Sequence, residues 1–411
     1  MLSLLKTPSL RRFFLAHLQS ELGTGAAYVA LLMVAYERLH SGWAISLVLL
    51  ADFVPGIALG ATLGALADRL PRRRLMIGAD LLRAGAFVGL AVIPWFGATV
   101  ALALLAGIGS TMYRTTVNAA LPGMVREVER SPATALYGMN CSIGMTVGPA
   151  LTALVLLLAP ATVVLAANGV TFLVSAAVLR TLRIDHDVAW PAQSNPASDR
   201  TSVWSSTIEG VQAARRIPGV SVLLLIGATS VLAGALMNVA EPLLATGPLH
   251  AGSSGFSVLV AVYGASMAVT SAATARAGSR VNRLRRWLLI GIAVQGAGMI
   301  GSAAAPSLSF ATVSFALTGA GNGLLAGPEI RLLQELASER LLGRVFGLRD
   351  ALINSAYVLA FVSAGAVLAA LGVRAIFALG GVGLLALTTT AWLGLRPRRS
   401  ADALPALAET A

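Results

Sequence analysis

The stretch Gly64–Leu75, GALADRLPRRRL, decides the fold of this chain and lies between two long apolar runs. Four arginines and one aspartate crowd into it, and no soluble core needs so charged a hinge. Basic residues collect in the short cytoplasmic loops that join consecutive membrane helices. The stretch therefore predicts a helical hairpin that crosses a membrane twice.

Composition extends this interpretation to the whole chain. The 411 residues are 56% hydrophobic and only 12% charged, and the mean hydropathy is +0.79. Soluble domains carry roughly 25% charged residues. Repeated apolar windows of about 20 residues, each able to cross a ~30 Å hydrocarbon core, explain the deficit. The chain is predicted to be an all-α polytopic membrane protein.

The net charge of +12 indicates orientation. Arginine clusters follow every second apolar run, whereas the opposite loops hold little beyond Arg38 and Arg374. This positive-inside bias predicts a multi-pass protein of the plasma membrane with both termini in the cytoplasm. Nucleic acid is not an expected partner, because no polar domain is long enough to bind it.

Hydropathy predicts twelve spans in two sets of six. Residues 1–183 form the N-terminal bundle and 218–396 the C-terminal bundle. Between them, 184–217 is a cytoplasmic linker in which Trp204 begins an apolar spacing typical of an interfacial helix; 397–411 is a cytoplasmic tail. The predicted spans are 12–37, 43–67, 74–95, 98–121, 133–158, 160–182, 218–246, 255–277, 285–305, 307–331, 343–371 and 373–395.

The two halves look like repeats of one another. Leu39-His-Ser-Gly42 matches Leu249-His-Ala-Gly252, and Gly107-Ile-Gly109 matches Gly319-Ala-Gly321. The offsets between partners are nearly equal. Two homologous six-helix halves joined by a cytoplasmic linker are the layout of a rocking-bundle transporter.

At this point the chain resembles the major facilitator superfamily. The pattern Gly64-x-x-x-Asp68-Arg69-x-x-Arg72-Arg73 is similar to that family's signature between helices two and three, with Pro71 where a glycine is usual. The resemblance implies an inner gate at this loop. Gly64 would allow close helix approach, Asp68 would meet a helix N-terminus or an arginine, and Arg72 and Arg73 would contact anionic lipid.

Within the superfamily the chain looks most like the exporter branch that contains enterobactin and macrolide efflux proteins. Arg11-Arg-Phe13, Ser20–Gly23 and Asp80-Leu-Leu-Arg83 carry this resemblance. Gly144-x-x-x-Gly148-Pro149 in the fifth span is similar to the antiporter signature of drug exporters. Its small residues predict a tight helix contact that limits leak, or ordinary small-residue packing. Asp80 and Arg83 are expected to pair and to anchor the Asp68 loop.

Charged residues within spans are the candidates for proton coupling, since burying them costs about 2.5–3.5 kcal/mol each. Glu21 lies about ten residues into the first span, hence ~15 Å deep, on one face with His17. The resemblance ties Arg114 to proton coupling, and a nearby arginine would hold Glu21 ionised. Asp52 is a second protonation site, a contact for a cationic substrate, or polar cavity lining. A structural carboxylate is the alternative for Glu21.

Four further polar residues are predicted to line the substrate cavity: Tyr28, Asn140, Asn238 and Glu241. Because Pro242 follows it, Glu241 fits an outer gate, or an interface carboxylate that reaches water. The single cysteine, Cys141, is expected to be a buried, inert thiol.

No enzymatic chemistry is expected. The chain lacks a Gly-x-x-x-x-Gly-Lys-Ser/Thr phosphate loop, and its four histidines show no metal-ligand spacing. No cofactor or metal is predicted, and a monomer is expected.

The resulting hypothesis is a secondary-active exporter of a small amphipathic molecule that works by proton antiport and alternating access. Its partners would be that substrate, protons and membrane lipids. A proton-coupled importer of a sugar or amino acid, and a membrane sensor without transport, remain as alternatives.

Overall fold

The computed structural model describes residues 4–182, 217, 219–276, 280–337 and 339–394. All regular elements in these ranges are helices. The predicted interfacial helix in the linker and the predicted tail lie outside the described residues. Eleven described helices are long and apolar enough to cross a membrane, and Gly42–Ala58 is a shorter apolar helix.

The N-terminal half contains seven helices. A short 3₁₀ turn, Leu4–Lys6, precedes the first, and another, Glu127–Glu129, precedes the sixth. The helices are α1 (Pro8–Leu39), α2 (Gly42–Ala58), α3 (Gly60–Arg69), α4 (Arg72–Val92), α5 (Phe96–Met124), α6 (Arg130–Val155) and α7 (Ala161–Thr181).

The C-terminal half contains six helices. They are α8 (Val220–Thr246), α9 (Gly252–Arg276), α10 (Val281–Ala304), α11 (Leu308–Leu336), α12 (Glu339–Leu371) and α13 (Val373–Gly394). With α2 and α3 counted as one interrupted span, the predicted all-α fold of two six-span bundles is confirmed.

The two halves pack in the same way. In the first, α1 packs on α6 and α7, and α5 on α2 and α4; in the second, α8 packs on α12 and α13, and α11 on α9 and α10. The matched tetrapeptides also share a conformation, since His40 has φ 51° and His250 has φ 48°. The left-handed backbone at His40 ends α1, whereas His250 lies in the short turn between the end of α8 and the start of α9.

The matched glycines make equivalent close contacts. A Cβ on Gly107 would overlap the backbone of α2, and one on Gly109 would overlap Arg83 of α4. In the second half, Gly319 meets Tyr263 of α9, and Gly321 meets Gln295 of α10. Helices α5 and α11 therefore each need their glycines in order to pack between two neighbouring helices.

The prediction of one continuous second span over 43–67 is wrong. The chain forms α2 and α3 with Leu59 between them, at φ −111° and ψ −5°. Pro55 lies in the last turn of α2, where it removes one backbone donor and crowds the preceding turn. Gly60 follows the break at once. The break leaves α2 as a short apolar helix, Gly42–Ala58.

Two arginines of Gly64–Leu75 have hydrogen-bond partners that the sequence did not predict. Arg72 donates to the carbonyl of Ala119 near the end of α5, at 2.8 Å, and Arg73 donates to Leu179 at 3.0 Å and also to Arg180. They bind carbonyls near helix C-termini, an arrangement that suits the negative end of a helix dipole. A Cβ on Gly64 would meet nothing within 4 Å, so no helix approaches Gly64 closely in this conformation.

The rest of the motif follows the local helices. Arg69 ends α3 and is exposed. Asp68 lies in the same helix, and its side chain lies outside the described part of the structure.

The bundle has two distinguishable ends. The histidine end carries His40 and His250, and the arginine-rich end carries residues 69–74. The halves meet where α2 packs on α12 and α6 on α9, and the α2–α12 contact extends to the histidine end. A Cβ on Gly365 would overlap the Trp43 ring, and the Phe53 and Tyr357 ring centroids are 4.7 Å apart.

Toward the arginine-rich end the halves separate. Helix α3 packs mainly on α5. Its glycines Gly60 and Gly64, and the α12 glycines Gly343 and Gly347, all face open space. The space between the halves therefore opens toward the arginine-rich end.

Candidate functional site

A cavity of about 400 Å³ lies between the halves at mid-depth. Five N-terminal helices and α12 contribute to its wall, so both halves contact its contents. The lining residues are Glu21, Thr24, Asp52, Phe53, Gly56, Ile57, Arg83, Gly107, Ser110, Thr111, Tyr113, Arg114, Tyr137, Cys141 and Asn354.

The cavity brings together the three residues predicted for proton coupling. Glu21, Asp52 and Arg114 come from α1, α2 and α5, and all three line it. Asp52 and Arg114 are exposed to this space. No ion pair within 4 Å joins either carboxylate to Arg114 among the described residues. The carboxylates are thus available to a solute in this conformation.

Glycines on neighbouring helices allow close packing beside Glu21, Asp52 and Arg114. A Cβ on Gly144 of α6 would lie 2.6 Å from the Glu21 carbonyl carbon, so α1 and α6 touch at Glu21. The backbone of Asp52 is held against Gly107 in the same way. On α2, Gly56 leaves room for the Arg114 guanidinium, which would lie 3.4 Å from an added Cβ.

His17 lies beside Glu21, one turn earlier on α1. The His17 Nε2 atom lies 3.3 Å from Glu21 Oε1. His17 is only 1% exposed, and its ring stacks on Tyr137 with centroids 4.4 Å apart. Glu21 therefore has a histidine beside it, where the sequence suggested an arginine.

Arg83 is a cavity residue that the sequence reasoning treated as purely structural. It pairs with Asp80, as predicted, and Asp80 has no exposed surface. The guanidinium also lies 4.4 Å from the Tyr113 ring centroid and 4.1 Å from that of Phe172. The one-turn spacing signalled the pair, but nothing in the sequence signalled the aromatic rings that hold the arginine at the cavity wall.

One histidine takes part in a cluster of three potential metal ligands. His17, Glu21 and Cys141 each place one potential ligand atom within 4.8 Å of the others. Cys141 is only partly buried and lines the cavity, so the prediction of a buried thiol is wrong. Three ligand types that could hold a soft divalent cation meet here because α1 and α6 pack so closely.

The four predicted substrate residues separate into three environments. Asn140 is buried and donates to the Phe14 carbonyl at 2.9 Å, so it supports α1 rather than lining the cavity. Asn238 is half-buried on α8. Glu241 is 3% exposed, which contradicts a carboxylate that reaches water. Tyr28 lies within electrostatic range of Glu241, in a second central cluster with Tyr263 and Tyr357.

The glycine motif of the fifth span forms the contact between α1 and α6. A Cβ on Gly148 would lie 2.7 Å from Gly25 Cα, and Pro149 follows within the helix. One turn later, Thr152 donates to the Ala26 carbonyl at 2.8 Å.

The C-terminal half holds one further buried ion pair. Arg349 of α12 binds both oxygens of Glu329 on α11, at 2.9 and 2.8 Å. Glu329 is 2% exposed. The pair therefore joins α11 to α12 inside the C-terminal half.

Comparison with known proteins places this architecture. The family model of the Major Facilitator Superfamily matches residues 13–236 and again 223–410. Macrolide efflux protein A of Streptococcus pyogenes is 23% identical over 362 residues, covering 86% of this chain and 87% of the relative. The enterobactin exporter EntS of Escherichia coli is 27% identical over 363 residues, covering 84% and 82%.

Solved structures show the same fold at low identity. The nucleoside transporter NupG superposes with a TM-score of 0.72 at 12% identity, over 94% of this chain and 99% of the other. A bacterial homologue of the human lysosomal transporter Spinster gives 0.69 at 13%, over 95% and 96%. With the family model matching nearly the whole chain, this multi-pass membrane protein belongs to the Major Facilitator Superfamily of transporters.

Proposed function

We propose that this protein is a proton-coupled exporter of a small amphipathic molecule. The observation that carries the proposal is the cavity between the halves, whose wall holds Glu21, Asp52 and Arg114. A membrane carboxylate that faces a cavity can exchange protons with the solution and with a bound solute. The exporter names of the curated relatives favour outward transport.

The arginine clusters support a plasma-membrane protein with the arginine-rich end in the cytoplasm. In that orientation the observed cavity opens inward, and substrate enters from the cytoplasm. Rocking of the two halves then exposes the cavity outside, where protonation of Glu21, with Asp52 as a second site, releases the substrate. Each proton that returns supplies about 2.3 kcal/mol per 100 mV of membrane potential.

Transport in proteoliposomes tests the proposal. A macrolide, enterobactin and a fluorescent cationic dye serve as probes, with a pH gradient imposed across the membrane. The wild type should concentrate at least one of them against its gradient. Glu21→Gln should abolish this uphill transport and spare downhill exchange, since a neutral amide cannot carry the proton.

The matched control is Glu127→Gln, because the Glu127 side chain is 86% exposed beside Arg130. It should transport as the wild type does. Uphill transport by Glu21→Gln would contradict the coupling role, and a nutrient imported with protons would reverse the proposed direction.

A further inference from the structure

We infer that His17 is a positioning residue for Glu21 and that Asn140 fixes its tautomer, with the ring hydrogen on Nε2. The inference rests on the proposed role of Glu21. It concerns how protons are directed to that carboxylate, and it assigns a function to two buried polar residues outside the cavity wall.

Asn140 determines which atoms donate and which accept in the hydrogen bonds that join Phe14, Asn140 and His17. Its Nδ2 atom lies 2.9 Å from the Phe14 carbonyl oxygen, which can only accept a hydrogen bond. This contact fixes which end of the amide is the nitrogen. The same Nδ2 atom lies 3.3 Å from His17 Nδ1. A donor therefore faces Nδ1, and Nδ1 must be the unprotonated, accepting nitrogen.

A neutral imidazole that accepts at Nδ1 carries its hydrogen on Nε2. In this structure Nε2 is buried, has no aligned hydrogen-bond partner, and lies 3.3 Å from Glu21 Oε1. The Glu21 carboxylate is the acceptor within reach, and a small rotation of its partly exposed side chain would align the bond. The ring is held for this contact between Tyr137 and Tyr113, at centroid distances of 4.4 and 6.3 Å.

The same direction of hydrogen bonding disfavours a second proton on the His17 ring. Protonation at Nδ1 would place two donors face to face, the ring N–H and the Asn140 amide, in a site that is 1% exposed. A proton that enters from the cavity is therefore directed to Glu21. The other groups near Glu21 are Tyr137 and Cys141 of α6 and Arg114 of α5. None of them is a carboxylate.

This arrangement also decides between a proton and a metal at the cluster formed by His17, Glu21 and Cys141. A metal ion needs the lone pair of Nε2, and the other ring nitrogen then donates its hydrogen to an acceptor. Here Nδ1 faces a donor instead. The hydrogen-bond arrangement of the cluster therefore favours a proton on Glu21 and disfavours a bound metal cation.

Nitrogen NMR of the ¹⁵N-histidine-labelled full-length protein in lipid nanodiscs tests the tautomer without any transport assay. Signals of His17 are identified as those missing from His17→Gln. We expect an unprotonated Nδ1 and a protonated Nε2, and no shift on addition of Zn²⁺. A protonated Nδ1, a doubly protonated ring or a Zn²⁺-dependent shift would overturn the inference.

The pH profile of uphill transport tests the positioning role. His17→Phe keeps a ring in the stack but removes the N–H that favours ionised Glu21, so the pH of half-maximal transport should rise by about one unit. His17→Gln keeps an N–H donor and should stay within a few tenths of a unit of the wild type. Equal midpoints in the wild type and His17→Phe would reduce His17 to packing. Failure of Glu21→Gln to uncouple would instead refute the proposed function and leave the NMR result standing.

Discussion

At the scale of single residues, the two arginines at the histidine end are tied to the helix ends around them. Arg38 donates to Thr99 Oγ1 at 2.6 Å and to the Leu90 carbonyl at 2.7 Å. Arg374 donates to the Ala305 carbonyl at 2.9 Å. Both guanidinium groups satisfy carbonyls left free near helix C-termini. Arg72 and Arg73 bind carbonyls in the same way at the arginine-rich end, so both ends of the bundle use arginines to satisfy helix C-termini.

The buried pair of Asp80 and Arg83 gives a prediction at this scale. Asp80→Asn keeps the shape of the side chain but leaves the Arg83 charge without a counter-charge. Loss of one partner of a buried pair costs about 3–5 kcal/mol. We expect the free energy of unfolding to fall by this amount, measured by denaturation in mixed micelles.

Two comparisons isolate the charge effect. Glu127→Gln removes a carboxylate that is 86% exposed and should cost less than about 1 kcal/mol. The double change Asp80→Leu with Arg83→Met removes both charges and should recover most of the lost stability. Full stability of Asp80→Asn would show that the pair does not depend on its charge.

Residue identity and depth predicted part of the site correctly and could not supply the rest. Glu21, Asp52 and Arg114 could be placed on one cavity because charged residues at similar depth in neighbouring spans have few other places to go. Asn140 could not be separated from the cavity residues, since helix phase shows only that it shares a face with Gly144. Only the packing of α6 on α1 shows that this face meets Phe14 and His17.

At the scale of helices, glycines decide which helices touch. Gly148 on α6 contacts Gly25 and Ala26 of α1 through their backbones, which cannot move aside as a flexible side chain would. Gly138 lies on the same helix, and a Cβ there would meet nothing within 4 Å. The same glycine-to-alanine substitution can therefore be compared at a tightly packed position and at an open position of one helix.

Gly148→Ala should destabilise the protein by about 1–3 kcal/mol, because the added methyl group forces α1 and α6 apart. Gly138→Ala should be neutral or stabilising by up to about 1 kcal/mol, because alanine lowers the entropy of the unfolded chain. Heat denaturation followed by size-exclusion chromatography measures both. Equal stability of the two variants would mean that the α1–α6 contact adjusts without cost.

Hydropathy predicted the existence of the helices well and their joints poorly. Apolar length is a property of composition, so each of the twelve predicted spans coincides with helix in the structure. The break between α2 and α3 depends on Pro55 and on the backbone at Leu59, and many membrane helices continue through a proline. The partners of Arg72 and Arg73 were missed for a related reason, since the ends of α5 and α7 come near this loop only after the bundle has packed.

At the scale of the whole molecule, the structure is one state of a cycle. The halves meet along α2 and α12 near the histidine end and separate toward the arginine-rich end. The repeat predicts that the second state is reached by rocking one half against the other. The sequence could indicate the two halves. It could not indicate which end is closed, because that depends on contacts between the halves.

Crosslinking across the closed end tests this rocking motion. In a Cys141→Ser background, Trp43→Cys with Gly365→Cys replaces a contact in which a Cβ at 365 would overlap the indole ring. Its Cβ atoms should come close enough for a disulfide. Oxidation should form the bond rapidly, hold the cavity open at the arginine-rich end and stop transport, and a reducing agent should restore transport.

The contrasting pair, Gly60→Cys with Gly347→Cys, lies at the open end, where neither glycine has a neighbour within 4 Å. It should crosslink only when substrate and a pH gradient drive the molecule through its cycle. Rapid oxidation of this second pair at rest, or transport that survives the first disulfide, would contradict a cycle in which the two ends open in turn.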